Sequence, residues 1–190
     1  MHIAAELFHA KGLGETSLAD IAVAAELDRA TVYYYFASKD EILAEVLRDA
    51  LTQSLKEITR ISRARVPPDE KLRRLVVASM RVYDRHYPYM YVFARLDMEQ
   101  LNRLPIAPEV KSWLVEESYK TTLIWHKVIR DGIKSGLFET TLPPTVATTT
   151  LLGALAWSHS WYKPGGDLSA EAVGHGLADL FIDGLRRRRE

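Results

Sequence analysis

The chain has 190 residues, no cysteine, and zero formal net charge from 25 basic and 25 acidic side chains. That length suits one small domain joined to one of medium size, or a single compact helical unit. The composition excludes a disulfide framework, a thiolate metal site, a cysteine nucleophile and a uniformly basic nucleic-acid binder.

Ile3, Ala4, Leu7 and Phe8 recur at helical spacing, so Met1 to Lys11 reads as an amphipathic helix closed by Gly12. Ser17 caps a short helix over Leu18 to Ala25, with Asp20 in its first turn. Asp28 caps a second, running from Arg29 through Tyr35. Ser38 opens a long helix towards Arg63, with Asp40 and Glu41 where the helix dipole favours carboxylates. Val66-Pro67-Pro68-Asp69 breaks it and caps helix five, Glu70 to His86. Tyr87-Pro88 interrupts, and helix six is expected from Tyr89 to about Leu101. Helix seven is long, Glu109 to Lys134; helix eight runs from Pro144 to about Tyr162. Ser169 caps helix nine, which ends in Arg186 to Arg189. The expectation is an all-α chain of about nine helices, with a three-helix helix-turn-helix head over residues 1–45 and a helical body over 46–190. The longest apolar stretch, Val146 to Trp157, holds three threonines and is too short to cross a bilayer. No basic-then-apolar signal opens the chain, so a soluble cytoplasmic protein is expected.

The informative stretch is Thr16 to Leu43. On a helix from Asp28 to Phe36, Val32 and Phe36 share the side that Ile21, Ala22, Ala25 and Leu27 can cover. Arg29, Ala30, Tyr33 and Tyr34 fall on the other side, with Thr31 on a flank. That outer face suits a DNA major groove. Arg pairs with guanine edges, Ala and Thr methyls touch thymine methyls, and hydroxyls reach phosphates. The run Thr16-Ser17, Asp20-Ile21-Ala22, Ala25, Thr31, Tyr33-x-Tyr35-Phe36, Ser38-Lys39 and Leu43 resembles the DNA-binding region of the TetR family of bacterial transcriptional regulators. The resemblance implies a dimeric, all-helical repressor whose second domain binds a small molecule. It implies that Arg29, Ala30, Thr31, Tyr33 and Tyr34 face bases or phosphates, and that Ser17, Tyr35 and Lys39 hold the DNA backbone.

Two residues depart from the family pattern. Glu26 stands at the corner where glycine is usual, and in left-handed backbone it costs about 1 kcal/mol. Asp28 stands where serine is commoner. Through Asp49 the chain carries four basic and nine acidic residues, a poor balance for phosphate neutralisation. The opening Met1-His2-Ile3-Ala4 looks like the middle of the family's first helix, which fits either a start that lies further upstream or a protein with a shortened arm. The acidic head also fits an alternative: a helical sensor or interaction module with weakened or lost DNA binding.

Aromatics and Met cluster from Tyr83 to Trp125. Tyr83, Tyr87, Met90, Phe93, Trp113, Tyr119 and Trp125 suit the walls of an apolar pocket between helices, with His126 as a polar anchor. The run Trp157-x-x-x-Trp161-Tyr162-x-Pro164-Gly165-Gly166-x-Leu168-Ser169 is similar to one in TetR-family regulators of fatty-acid and steroid catabolism that respond to acyl-CoA thioesters. That similarity implies a large apolar effector, an acyl-CoA being one form, with Trp157 and Trp161 beside it. Pro144–Tyr162 and Ser169–Leu185 interleave large apolar with small residues, which suits a four-helix interface about a two-fold axis. Expected partners are therefore an operator duplex, the effector and a second copy of the chain, with no membrane. No Gly-rich phosphate loop or G-x-S-x-G elbow is present, so no enzyme and no cofactor are expected. His175 and Asp179 lie at i, i+4 spacing, but two ligands are too few for a metal.

Overall fold

Short polar side chains answer the free N–H groups at several helix starts in a computed structural model that describes residues 2–88, 90–91, 103 and 108–185. Asp20 N donates to Ser17 Oγ, Ala30 N to Asp28 Oδ1, Glu41 N to Ser38 Oγ and Ala172 N to Ser169 Oγ. The resulting helices are α1 (His2–Lys11), α2 (Leu18–Ala24), α3 (Arg29–Tyr35), α4 (Lys39–Ser62), α5 (Pro68–Arg85), α6 (Pro108–Lys134), α7 (Pro144–Trp157) and α8 (Ala170–Leu185). The fold is all-α, with no strand among the described residues. The helix expected from Tyr89 to Leu101 falls largely outside those residues, as do Phe93 and Arg186 to Arg189.

Two boundaries differ from the sequence reading by two residues or more. Helix α5 starts at Pro68, because proline's fixed φ and missing N–H suit the first helical position. Helix α7 stops at Trp157, short of Tyr162, and tightens into a 3₁₀ turn over Ser158–Ser160. There side chains compete for the terminal carbonyls. Ser160 Oγ donates to Trp157 O at 2.8 Å, and a His159 ring nitrogen lies 2.8 Å from Ala156 O.

The chain forms two compact units, Met1–Leu51 with His86–Val115, and Thr52–Arg85 with Glu116–Glu190. The first has a small core in which Phe8, Leu18, Ile21, Val32, Leu43, Leu47 and Leu114 are buried. Gly12 (φ 91) ends α1, and the buried Thr16 hydroxyl donates to the Gly12 carbonyl at 2.8 Å, tying the loop to the helix it leaves.

The second unit is packed around Leu72, Leu75, Val76, Trp125, Ile129, Leu151 and Ile182. Helices α5 and α8 lie along one another. Gly174 makes this possible: a Cβ there would sit 2.8 Å from the Val77 Cα. The glycines of α7 and α8 thus divide in use. Gly174 closes a contact inside the subunit, whereas a Cβ at Gly153, Gly176 or Gly184 would meet open space. Arg73 pairs with Asp179 and Arg81 with Glu171 across the same contact. Asp179 is therefore engaged by Arg73, and His175 lies 3.9 Å from Glu171 instead.

Candidate nucleic-acid interface

The interface is assembled from two seven-residue helices and the corner between them. Ser17 and Asp20 form a reciprocal capping box. Ser17 N and Ser17 Oγ both donate to Asp20 Oδ2, at 2.8 and 2.5 Å. Those bonds, first the Ser17 hydroxyl's, hold the Asp20 carboxyl below its ordinary value, and Lys11 Nζ adds attraction from 3.6 Å.

At the other end of α2, Leu27 N donates to Ala22 O and Glu26 N to Val23 O. This is a Schellman arrangement, whose penultimate position needs left-handed backbone. Glu26 occupies it with φ 55. The corner forms although glycine is absent, so Glu26 carries the strain expected from the sequence.

Helix α3 then has one buried residue, Val32, 5% exposed. Arg29, Ala30, Thr31, Tyr33, Tyr34 and Tyr35 are all exposed, Tyr34 at 83%. The rings of Tyr34 and Tyr35 meet edge to face with centroids 5.1 Å apart. Phe36 turns extended (φ −137, ψ 123) and packs back on the core, ending the helix. The Lys39 ammonium donates to Gly14 O at 2.8 Å, and Glu41 Oε2 accepts from Ala37 N at 2.8 Å. These bonds fix the start of α4 against the loop before α2. Asp40 in that turn is buried, and desolvation raises its pKa although Lys39 opposes the shift.

The charges are sorted by use. Lys11 faces Asp20, Lys39 holds Gly14, and Arg48 pairs with Glu45 at 2.6 Å while lying 5.8 Å from the Trp113 ring centre. Of the four cations through Asp49, Arg29 is the one with no hydrogen bond or ion pair among the described residues. It projects from a face that buries nothing. Ser17 and Lys39 are already engaged within the protein.

The residues expected to line an effector pocket are shared between the two units. In the first, the Tyr87 ring lies 5.2 Å from His9 and 5.9 Å from Tyr91, Met90 is half-buried, and Trp113 packs on the core. In the second, Tyr83 is buried with its ring 6.1 Å from Tyr162. Trp125 is 1% exposed, a core residue of that unit. A His126 ring nitrogen lies 3.5 Å from Thr148 Oγ1. Tyr119, Trp157 and Trp161 are exposed. Sequence reasoning named Tyr162 only as part of the Trp157 to Ser169 run; the residue is buried and its hydroxyl donates to Asp84 Oδ1 at 2.5 Å. Burial, then that bond, pushes its pKa up to about 12. Nothing in the local sequence ties residue 162 to residue 84.

A short capped helix, a tight corner and a second capped helix with a polar, partner-free face define a helix-turn-helix DNA reader. Residues 1–46 match the profile described as "Bacterial regulatory proteins, tetR family", and residues 65–185 match "Tetracyclin repressor-like, C-terminal domain". The chain belongs to the TetR family of DNA-binding transcriptional regulators.

Among its relatives is the HTH-type transcriptional repressor KstR2 of Mycobacterium tuberculosis. It is 27% identical over 187 residues, covering 98% of this chain and 91% of that protein. The solved structure of that ketosteroid transcriptional regulator superposes with a TM-score of 0.87, covering 98% of this chain and 92% of the other. The TetR-family regulator PfmR from Thermus thermophilus is 30% identical, with a TM-score of 0.84 and 98% of each chain covered. AibR in complex with isovaleryl coenzyme A and operator DNA shares the fold at 20% identity, with a TM-score of 0.78 and 94% of each chain covered.

Proposed function

We propose that the chain acts as a homodimer whose two heads read a palindromic operator and release it when an apolar effector enters the body. The division proposed is a reading domain over residues 1–45 and an effector and dimerisation domain over 46–190. The observation that carries the reading is the split of α3: Val32 faces the core while Arg29, Thr31, Tyr33 and Tyr34 face solvent. Arg29, Ala30, Thr31, Tyr33 and Tyr34 meet base edges and phosphates; Ser17, Tyr35 and Lys39 meet the DNA backbone.

The second copy docks on α7 and α8. Exposed Val146 and Leu180, beside Gly153, Gly176 and Gly184, give those helices both apolar area and room for close approach. An acyl-CoA thioester is the effector class favoured. KstR2 is named a ketosteroid regulator and AibR is seen with isovaleryl coenzyme A, while Trp157 and Trp161 stand exposed in the run that resembles acyl-CoA-responsive regulators. Effector binding shifts an equilibrium between two head spacings, of which one fits the operator.

Footprinting on the DNA upstream of the chain's own gene tests this. Two protected half-sites centred about 10 base pairs, or a multiple, apart are expected, lost on adding acyl-CoA thioesters. A single protected half-site, or none, contradicts the dimeric reading. Protection that survives every acyl-CoA contradicts the effector class alone. The acidic head favours a second reading, a sensor without DNA binding. Failure to retain random duplex DNA at low salt would select it.

A further inference from the structure

The second unit carries a groove that the reading above does not use. It lies between α4 and α5, has a volume of about 420 Å³, and is lined by Gln53, Lys56, Glu57, Arg60, Ala78, Arg81, Val82 and Arg85. Four of these are cations and one is a carboxylate, in a chain whose net charge is zero. The cations come from both walls. Lys56 and Arg60 are one turn apart on α4, and Arg81 and Arg85 are one turn apart on α5.

The charges act as one cluster. Glu57 has its carboxyl pKa lowered first by the hydrogen bond from Arg60, and also by the fields of Arg81 and Arg85. Arg60 is satisfied by Glu57 through two bonds, at 2.7 and 2.9 Å, and Arg81 by Glu171 at 2.6 Å. Lys56 and Arg85 are exposed and make no hydrogen bond or ion pair among the described residues. Two cations without an ion pair thus face one concavity from opposite walls. Ala78 and Val82 give it an apolar floor.

We infer that this α4–α5 groove binds a nucleotide-type ligand carrying at least two phosphoryl groups. The phosphates sit between Lys56 and Arg85, with Arg60 and Arg81 behind them, and the apolar part lies on Ala78 and Val82. Arg presents a planar fork to phosphate oxygens, and Lys a compact charge. The volume lies in the range of small-molecule sites, and the cations converge from two walls of a hollow rather than lining a convex ridge. Those two features favour a compact phosphorylated ligand over a duplex backbone. An acyl-CoA thioester, itself a nucleotide carrying a diphosphate, is one ligand of this class, but the case for the groove rests on its own residues and stands if the effector is of another kind.

The test is calorimetric titration of the full-length protein with ADP and with inorganic pyrophosphate. It compares the wild type with the Lys56→Gln/Arg85→Gln double variant and with a control of equal charge change, Lys134→Gln/Lys163→Gln. None of these side chains packs in a core, and circular dichroism verifies each fold. Expected is saturable binding of both probes, weakened about tenfold or more in the groove variant and unchanged in the control. Equal weakening in both variants, or no saturable binding by the wild type, overturns the inference. So does a groove variant that keeps its affinity for ADP and loses only retention of random duplex DNA, an outcome that assigns the cations to the duplex. Operator footprinting fails or succeeds independently of these readings.

Discussion

The reading head and the body of this protein keep their helices by opposite means. Helices α2 and α3 have seven residues each, below the length at which a helix persists alone in water. Side chains tie their ends, Ser17 and Asp20 at one, Asp28 at the other, and Val32 is the one residue of α3 buried. Helices α5 and α8 have 18 and 16 residues and are fixed by lengthwise packing, so close at Gly174 that no Cβ fits beside Val77 without movement. The difference teaches where sequence is free to serve a partner. A helix held at its ends can spend its outer face on recognition. A helix held by its face cannot.

Substitution in the body breaks that comparison hardest. Trp125 is 1% exposed among Leu72, Leu75 and Ile129. Trp125→Ala is expected to cost about 3–5 kcal/mol, through lost transfer energy and the cavity left behind. Urea unfolding followed by circular dichroism measures it. A loss below about 1 kcal/mol would mean the body tolerates change as the head does.

Much of the head was legible before any coordinates. Ser17, Asp28 and Ser38 are capping types at the right spacing, and the inward Val32 follows from helical periodicity. The corner was legible too: Glu26 was expected to be strained if left-handed, and it is, with φ 55. The body was less so. Periodicity marks which residues are apolar, but not which apolar residues face one another. Trp125, read as a pocket wall, lies in the core, and Gly174, read as part of a subunit interface, closes on Val77 within the chain. The Tyr162–Asp84 bond joins residues 78 positions apart, and no local signal encodes it.

A smaller and opposite effect is expected at the corner. Glu26→Gly relieves the left-handed backbone and should stabilise the protein by about 0.5 kcal/mol or less, after the flexibility glycine adds to the unfolded chain is set against it. A rise in thermal midpoint checks this. The substitution also removes one of the nine acidic groups through Asp49, so nonspecific DNA affinity should rise with it. A lowered midpoint would show that the Glu26 side chain stabilises the corner more than its backbone strains it.

The central claim is that α3 presents a reading face held in place from behind. Fluorescence anisotropy with the footprinted operator and a scrambled duplex, at one salt concentration, tests it most directly when Arg29→Ala is compared with the wild type. Arg29 is exposed and has no partner among the described residues, so its loss should leave the unfolding midpoint unchanged. The account predicts that operator affinity falls by about 1–3 kcal/mol more than affinity for the scrambled duplex. Equal losses on both duplexes, or no loss on either, would contradict it.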